Sequence, residues 1–432
     1  MKDRLIIGEL ARQVAEIAAL PVQQETIRLW KALNALRPVR PMVMIDQVPW
    51  HEMNVADELT VRSQDDFARS LETRLRRTLY AWNHMRADMV VEPFIDLRMV
   101  LGDTGFGIDT KDVTAVTDPA SDVLSHRYVD QLKDDADIAR IRAPRMELDA
   151  AATARVEDQA ADLLGGNLGV RMEGYDPWFR LWDIITGWHS PEACLYDLAL
   201  RPDFIHRLMR RLTEAHMTML DDVEARGLMC RPQSLIHCTG AWTDELPAAG
   251  HPGTACGPPA RPSAPPWPAA AAGDPARPRA RDVWTAGMAQ IFSAVSPAMH
   301  KEFEIDYAAP WYARFGLGYY GCCEPLHQKI DIIRLLPNVR KISMSPWVDV
   351  EKGAERIGTD YVFSRKPSPA FLAWDSYDLA AVEADLRATL AACARHGCPV
   401  ELILKDISTV RYHPDRLWQW SALAMRLVEA QH

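Results

Sequence analysis

Phe315-Gly-Leu-Gly-Tyr-Tyr-Gly-Cys-Cys-Glu-Pro-Leu-His327 sets the pattern by which the rest of the chain is read. Leu317, Tyr319 and Tyr320 read as a buried strand, and Gly321 lets the main chain come close to a neighbour. The strand then runs into Cys322, Cys323, Glu324, a proline and His327. Thiol, carboxylate and imidazole are the side-chain types that bind zinc, and here they fall within six residues at a strand's end. The plainer alternative is a buried cysteine pair followed by a loop, because a free thiol packs as a small hydrophobe.

The same motif, a short apolar run ending in polar residues, recurs along the chain. Met42-Val-Met-Ile45 leads to Asp46-Gln-Val-Pro-Trp-His-Glu52, with Asp46 and His51. Met89-Val-Val91 leads to Glu92 and Asp96, and Leu168-Gly-Val170 leads to Arg171 and Tyr175. Ser234-Leu-Ile236 leads to His237 and Cys238. Beyond the opening stretch, Ile342-Ser-Met344 ends at Trp347, Tyr361-Val-Phe363 at Arg365 and Lys366, and Leu402-Ile-Leu404 at Lys405 and Asp406. Continuous apolar runs of this length are the sign of strands buried on both faces.

Between them lie helical patterns at 64–85, 146–164, 190–200, 202–227 and 284–303, with Ser190 as an N-cap before Pro191 and Gly227 as a stop. Residues 100–145 are turn-rich and read as a hairpin excursion. Eight buried strands separated by helices predict an α/β fold, a single (β/α)8 TIM-type barrel. Residues 1–37 form an N-terminal helical extension and 38–432 the barrel. In such barrels the C-terminal strand ends carry the active site. The alternative is that strand ends are polar because they meet water.

Composition narrows the function. The chain has 432 residues, 48% of them apolar and 25% charged, the balance of a globular protein. Its net charge of -10, with no basic cluster, argues against nucleic acid as a partner. No apolar run approaches the roughly 18 residues of a membrane span, and the N-terminus lacks a signal-peptide core. The eight cysteines follow no short regular spacing, as expected for reduced thiols in the cytoplasm. Residues 247–280 hold ten prolines, eleven alanines and four glycines, which cannot supply a core. They read as a low-complexity insertion, either an out-of-frame stretch of a GC-rich gene or a genuine flexible segment.

From about Leu168 onward the chain resembles the uroporphyrinogen decarboxylase superfamily, whose members are single (β/α)8 barrels. The best-matching stretch runs from Ile342-Ser-Met-Ser-Pro-Trp-Val-Asp-Val-Glu-Lys-Gly through Gly358 to Tyr361-Val-Phe-Ser-Arg-Lys-Pro-Ser-Pro-Ala-Phe-Leu372. The helix from Asp197 to Gly227 matches as well. Asp88-Met-Val-Val-Glu-Pro-Phe-Ile-Asp96 is similar to the stretch ending in the decarboxylase's catalytic aspartate, which would make Asp96 its counterpart. Two places depart from the decarboxylase. Its arginine-bearing signature after the first strand is replaced by Met44-Ile-Asp-Gln, which puts the acid Asp46 where a polycarboxylate would need a base. Its histidine after the eighth strand is replaced by Lys405-Asp406.

The same superfamily contains methylcobalamin-dependent methyltransferases, which bind zinc through a His-x-Cys on the fifth strand and a cysteine after the eighth. Cys323 falls on that first cysteine, Gly321 on the histidine and Asp406 near the distal cysteine. Cys322, Glu324, His237 and Cys238 are candidates to complete the site. The resemblance therefore implies a zinc-dependent methyltransferase that moves a methyl group between a corrinoid, supplied by a partner protein, and a small acceptor. A decarboxylase is the alternative, and a ligand-binding barrel without chemistry the second. Asp96, Glu92 and Asp406 are the expected catalytic groups. Asp46, His51, Arg171, Tyr175, Trp347, Arg365, Lys366 and Lys405 are the expected substrate contacts. A homodimer stays open.

Overall fold

The computed structural model describes residues 2–116, 124–246 and 277–430. Most of the low-complexity stretch 247–280 lies outside the described residues. The N-terminal helical pattern forms two helices, Lys2–Ala18 and Pro21–Asn34. Ile7, Leu10, Ala11 and Val14 recur at helical spacing and are buried. They share a core with Leu71 and Leu75 of the helix Asp66–His84 and with Ala160 and Leu164 of the helix Ala150–Leu164.

The strands that carry the architecture are β1 (Met42–Ile45), β2 (Phe94–Arg98), β3 (Gly169–Glu173), β4 (Trp178–Phe179), β5 (Trp284–Gly287), β6 (Leu317–Tyr320), β7 (Val339–Met344), β8 (Val362–Arg365) and β9 (Val400–Leu404). Seven of them form one parallel sheet in the order β1-β9-β8-β7-β6-β5-β4. Every residue of β5, β6, β8 and β9 is buried, as expected of a parallel sheet covered on both faces. β2 and β3 pair in parallel with each other, in register from Phe94 opposite Gly169 to Arg98 opposite Glu173.

The architecture is thus a mixed α/β fold built on parallel strands. Among the described residues the strands do not form the continuous closed ring of a (β/α)8 barrel. On the side of β1 away from β9, Asp88 substitutes for a ladder: its main-chain N–H donates to Val43 O at 3.0 Å, and its carboxylate accepts the N–H of Val43 at 2.8 Å.

Several boundaries differ from the sequence reading. Met89–Val91 is not a strand, because Val91 N–H donates to the side chain of Gln23 (2.9 Å) and pairing begins only after Pro93. Asp96 therefore sits within β2 and not beyond it. Leu235–Ile236 pairs antiparallel with Thr239–Gly240 and stays out of the parallel sheet. The expected helix at 284–303 starts instead as β5, and its first α-helical turn is Pro297–His300, capped by Ser296. An apolar run as short as Trp284–Gly287 has no period that separates the two readings. Met146–Leu148 pairs with Leu101–Asp103, and the following helix begins at Ala150. The hairpin excursion is present as Asp112–Val116 against Leu124–Tyr128.

The Leu235–Gly240 hairpin lies against β7 and β9 near their N-terminal ends. Lys341 and Glu401 form a fully buried ion pair (2.8 Å). Thr239 Oγ1 donates to Glu401 Oε2 (2.7 Å), while Lys341 Nζ also donates to Thr239 Oγ1 (3.0 Å) and Gly240 O (2.9 Å). Trp30 of the second helix covers this pair, with Lys341 Nζ 5.2 Å from its ring. A Cβ on Gly240 would stand 2.5 Å from Trp30 Cδ2, so only glycine permits the contact.

Candidate functional site

At the opposite end of the sheet the chain leaves β6 through Gly321, at φ +94°, where a Cβ would meet Leu326 Cδ1 at 2.3 Å. This turn delivers Cys322 and Cys323. The loop is fixed by its own polar groups. Glu324 accepts the N–H of Cys322 (2.8 Å) and of Ala289 (3.1 Å), one on each oxygen, and Ser343 Oγ donates to Cys322 O (2.7 Å). Glu324, expected as a metal ligand, is thereby a buried staple of the loop.

β9 ends beside this loop. Lys405 Nζ lies 3.2 Å from Cys322 Sγ and 3.3 Å from Asp406 Oδ2. The two cysteine sulfurs are 3.5 Å apart, and Cys323 Sγ is 3.7 Å from Asp406 Oδ2. Asp406 has φ +55°, and its N–H donates to Gln47 Oε1 at 3.2 Å; Gln47 has φ +52°. His237, whose charge neighbours are Lys405 and Lys366, has φ +54°. Positive φ at non-glycine residues is uncommon, and held strain of this kind gathers at functional sites.

The electrostatics separate the two thiols. The hydrogen bond shared with Cys323, with burial adding to it, pushes the Cys322 thiol well up. The same hydrogen bond draws the Cys323 thiol below its ordinary value, against burial and Asp406. Burial opposes a charge on Lys405, but Cys238, Cys322 and Asp406 outweigh it and hold the ammonium above the usual lysine range. His237 is lowered to about 2 by burial and then by Lys405 and Lys366, so its imidazole is neutral. Its Nε2 has no partner among the described residues, and its ring stands edge-on to Tyr319 and Trp178. Burial raises Asp46 above the usual carboxylate range, with Lys405 pulling the other way.

Lys366 Nζ contacts Tyr319 OH and donates to Ser364 Oγ (2.6 Å) and Ser364 O (3.1 Å). Tyr319 was read only as a strand residue and Ser364 as the first polar residue past a strand, whereas Ser364 lies inside β8. Alternation within β6 and β8 is the signal that would have sent their hydroxyls to one face.

The other expected residues lie elsewhere. Asp96 is held by Arg171 through two bonds, Nε to Oδ1 (2.7 Å) and Nη2 to Oδ2 (2.9 Å). Asp96, Arg171 and Glu92 line a cavity of about 530 Å³ between β1 and the β2–β3 pair, together with Arg74, Trp50 and Trp242. Neither cysteine of the loop lines it. Ile45 does, and the next residue, Asp46, belongs by charge to the Lys405 cluster. Arg365 is buried and bonds Ser345 O (2.6 Å) and Asp385 (3.4 Å) of the helix Leu379–Arg395. Trp347 is largely exposed. His51 stands 3.7 Å from Glu52, and Tyr175 is half-buried beside the segment at Leu228 and Cys230.

The resemblance implies zinc at the thiols. Structural zinc takes four ligands and catalytic zinc three from the protein. Among the described residues, no group of three or more His, Cys, Asp or Glu side chains is placed to hold a metal ion. The ammonium of Lys405 touches both Cys322 and Asp406, and Glu324 is spent on main-chain N–H groups. The residues as arranged do not fit zinc. What they build is a thiol pair whose neighbouring positive charge is Lys405. No helix of the described residues is long and apolar enough to cross a membrane.

No family model matches the chain, and no curated protein matches it. Among solved structures, a methyltransferase from Methanosarcina mazei aligns with it at a TM-score of 0.48 and 12% identity, over 93% of this chain and 98% of that one.

Proposed function

We propose that this chain is a methyltransferase-like enzyme that moves a methyl group onto sulfur, with Cys323 as the nucleophile. The observation that carries the reading is the cluster at the C-terminal ends of β6 and β9, where Lys405 Nζ lies 3.2 Å from Cys322 Sγ and the paired sulfurs lie 3.5 Å apart. A thiolate, not a thiol, is the nucleophile, and a neighbouring cation or hydrogen-bond donor supplies it at neutral pH. Cys322 and Cys323 share a hydrogen bond, and Lys405 supplies the positive charge. The neutral His237 and the Tyr319–Lys366–Ser364 group stand around the cluster as polar groups for a small substrate.

The resemblance implies a corrinoid, delivered by a partner protein, which when bound supplies an activated methyl group. A decarboxylase reading would centre on Asp96, whose carboxylate is occupied by Arg171. The test is incubation of the purified protein with methylcobalamin, followed by its absorbance and by mass spectrometry of the tryptic peptide 315–329. Loss of methylcobalamin with one methyl group gained on Cys323 is expected, and Cys323→Ser should abolish both. Equal behaviour of wild type and Cys323→Ser would refute the reading.

A further inference from the structure

We infer that Cys322 and Cys323 form a reversible redox pair, in which a hydroperoxide converts the adjacent thiols to a disulfide and so withdraws the nucleophile. The inference goes beyond the transfer reading and does not need it. Three observations carry it. The sulfurs lie 3.5 Å apart on adjacent residues, so only a local adjustment of the main chain between them is needed to join them. Cys322 is buried at 5% exposure while Cys323 is half-buried, so an oxidant from solvent reaches Cys323 first. Lys405 Nζ sits 3.2 Å from Cys322 Sγ, placed to offset the negative charge that develops on that sulfur as it gives up its proton in the second step. The other described cysteines lack this combination: Cys194, Cys230, Cys238, Cys393 and Cys398 are all buried.

The chemistry balances in two steps. Cys323 Sγ attacks one oxygen of the hydroperoxide; the O–O bond breaks, the Cys323 sulfenic acid forms, and the second oxygen leaves as water or an alcohol after taking a proton. Cys322 then gives up its proton, and its sulfur attacks Cys323 Sγ. The S–S bond forms, the S–O bond breaks, and the hydroxyl leaves as water with that proton. Two thiols have been oxidised and one hydroperoxide reduced. A disulfide close to the surface belongs to the class that thiol reductants reopen readily.

The test uses the full-length protein and hydrogen peroxide. After treatment and blocking of free thiols, the tryptic peptide 315–329 should be two hydrogens lighter and carry no blocking group. Dithiothreitol should restore both blockable thiols. In Cys322→Ser, Cys323 should stop at the sulfenic acid and be trapped by dimedone. A treated wild-type peptide that gains oxygen without losing the hydrogens, or one in which both thiols remain blockable, overturns the inference even if the variant does not fold. The readout is mass, so this result is independent of whether methyl transfer is found.

Discussion

The ammonium of Lys405 and the sulfur of Cys322 lie 3.2 Å apart at the end of β9, and the same ammonium stands 3.3 Å from Asp406. A lysine that is almost wholly buried keeps its charge here because acidic neighbours surround it. Replacing it by methionine keeps the volume and removes the charge. Lys405→Met should shift the pH midpoint for alkylation of Cys323 upward and slow iodoacetamide modification at neutral pH by about tenfold, the equivalent of one pKa unit. Rates measured across pH by mass spectrometry check this. An unchanged profile would mean that the Cys322 S–H alone sets the reactivity.

The Lys341–Glu401 pair gives a stability prediction of the opposite kind. Both side chains are fully buried, so removing one leaves an uncompensated charge. Lys341→Met should cost about 3–5 kcal/mol in urea unfolding. The double variant Lys341→Met/Glu401→Leu should regain much of that loss, because two apolar side chains carry no unpaired charge. Equal losses in the single and double variants would show that shape, and not charge, limits the site.

Asp96 tests the decarboxylase alternative. Its pair with Arg171 is about a third exposed, so screening keeps its worth near that of a surface ion pair. Asp96→Ala should lower stability by roughly 0–1 kcal/mol. It should change methyl transfer by no more than about twofold, since a group outside the reacting centre contributes little to the transition state. A loss of transfer comparable to that of Cys323→Ser would move the reacting centre to the cavity between β1 and the β2–β3 pair.

His216 provides a pH dependence. Its ring is buried against Trp311, with both nitrogens unpartnered among the described residues, and burial, with Arg180 second, lowers it to about 3. An unfolded histidine titrates near 6.5. Between these values the unfolded chain holds a proton that the folded chain refuses, so this group makes stability fall as pH drops from about 6.5 towards 3. The slope is about 1.4 kcal/mol per pH unit. His216→Leu should reduce the slope of stability against pH by about one proton over pH 4–6. Urea midpoints at several pH values measure it, and an unaltered slope would mean that His216 is protonated in the fold.

Much of this arrangement was legible in the sequence. The strands β1, β6, β8 and β9 stand within a residue or two of their apolar runs, and β7 starts three residues before its run, because burial on both faces leaves a hydrophobic signature. Cys322, Cys323, Lys405 and Asp406 were picked out as strand-end residues, and they meet although β7 and β8 stand between β6 and β9 in the sheet. Pairing partners were less legible. β5 was read as a helix and Leu235–Ile236 as a sheet strand, since an apolar run of two to four residues carries no period. The Lys341–Glu401 pair was missed, although a charge directly before each of two apolar runs was its signal. The engagement of Glu324 by two N–H groups depends on the path of the main chain after Gly321, which a sequence pattern does not reveal.

The pairing of β1 with β9 has a consequence for how the chain is made. Met42 stands opposite Glu401, and Ile45 opposite Leu404. On the ribosome the first strand of the sheet emerges long before the last, and β9 is its only ladder partner among the described residues. Until translation has passed Leu404, Met42–Ile45 is an apolar strand without its ladder partner, of the kind that invites association with other chains. The two ends of the sequence therefore complete the sheet together, and Glu401 reaches Lys341 in that same late event. Truncation of the C-terminus before β9 removes more than a strand: it leaves the first strand without its neighbour and the buried lysine without its charge partner.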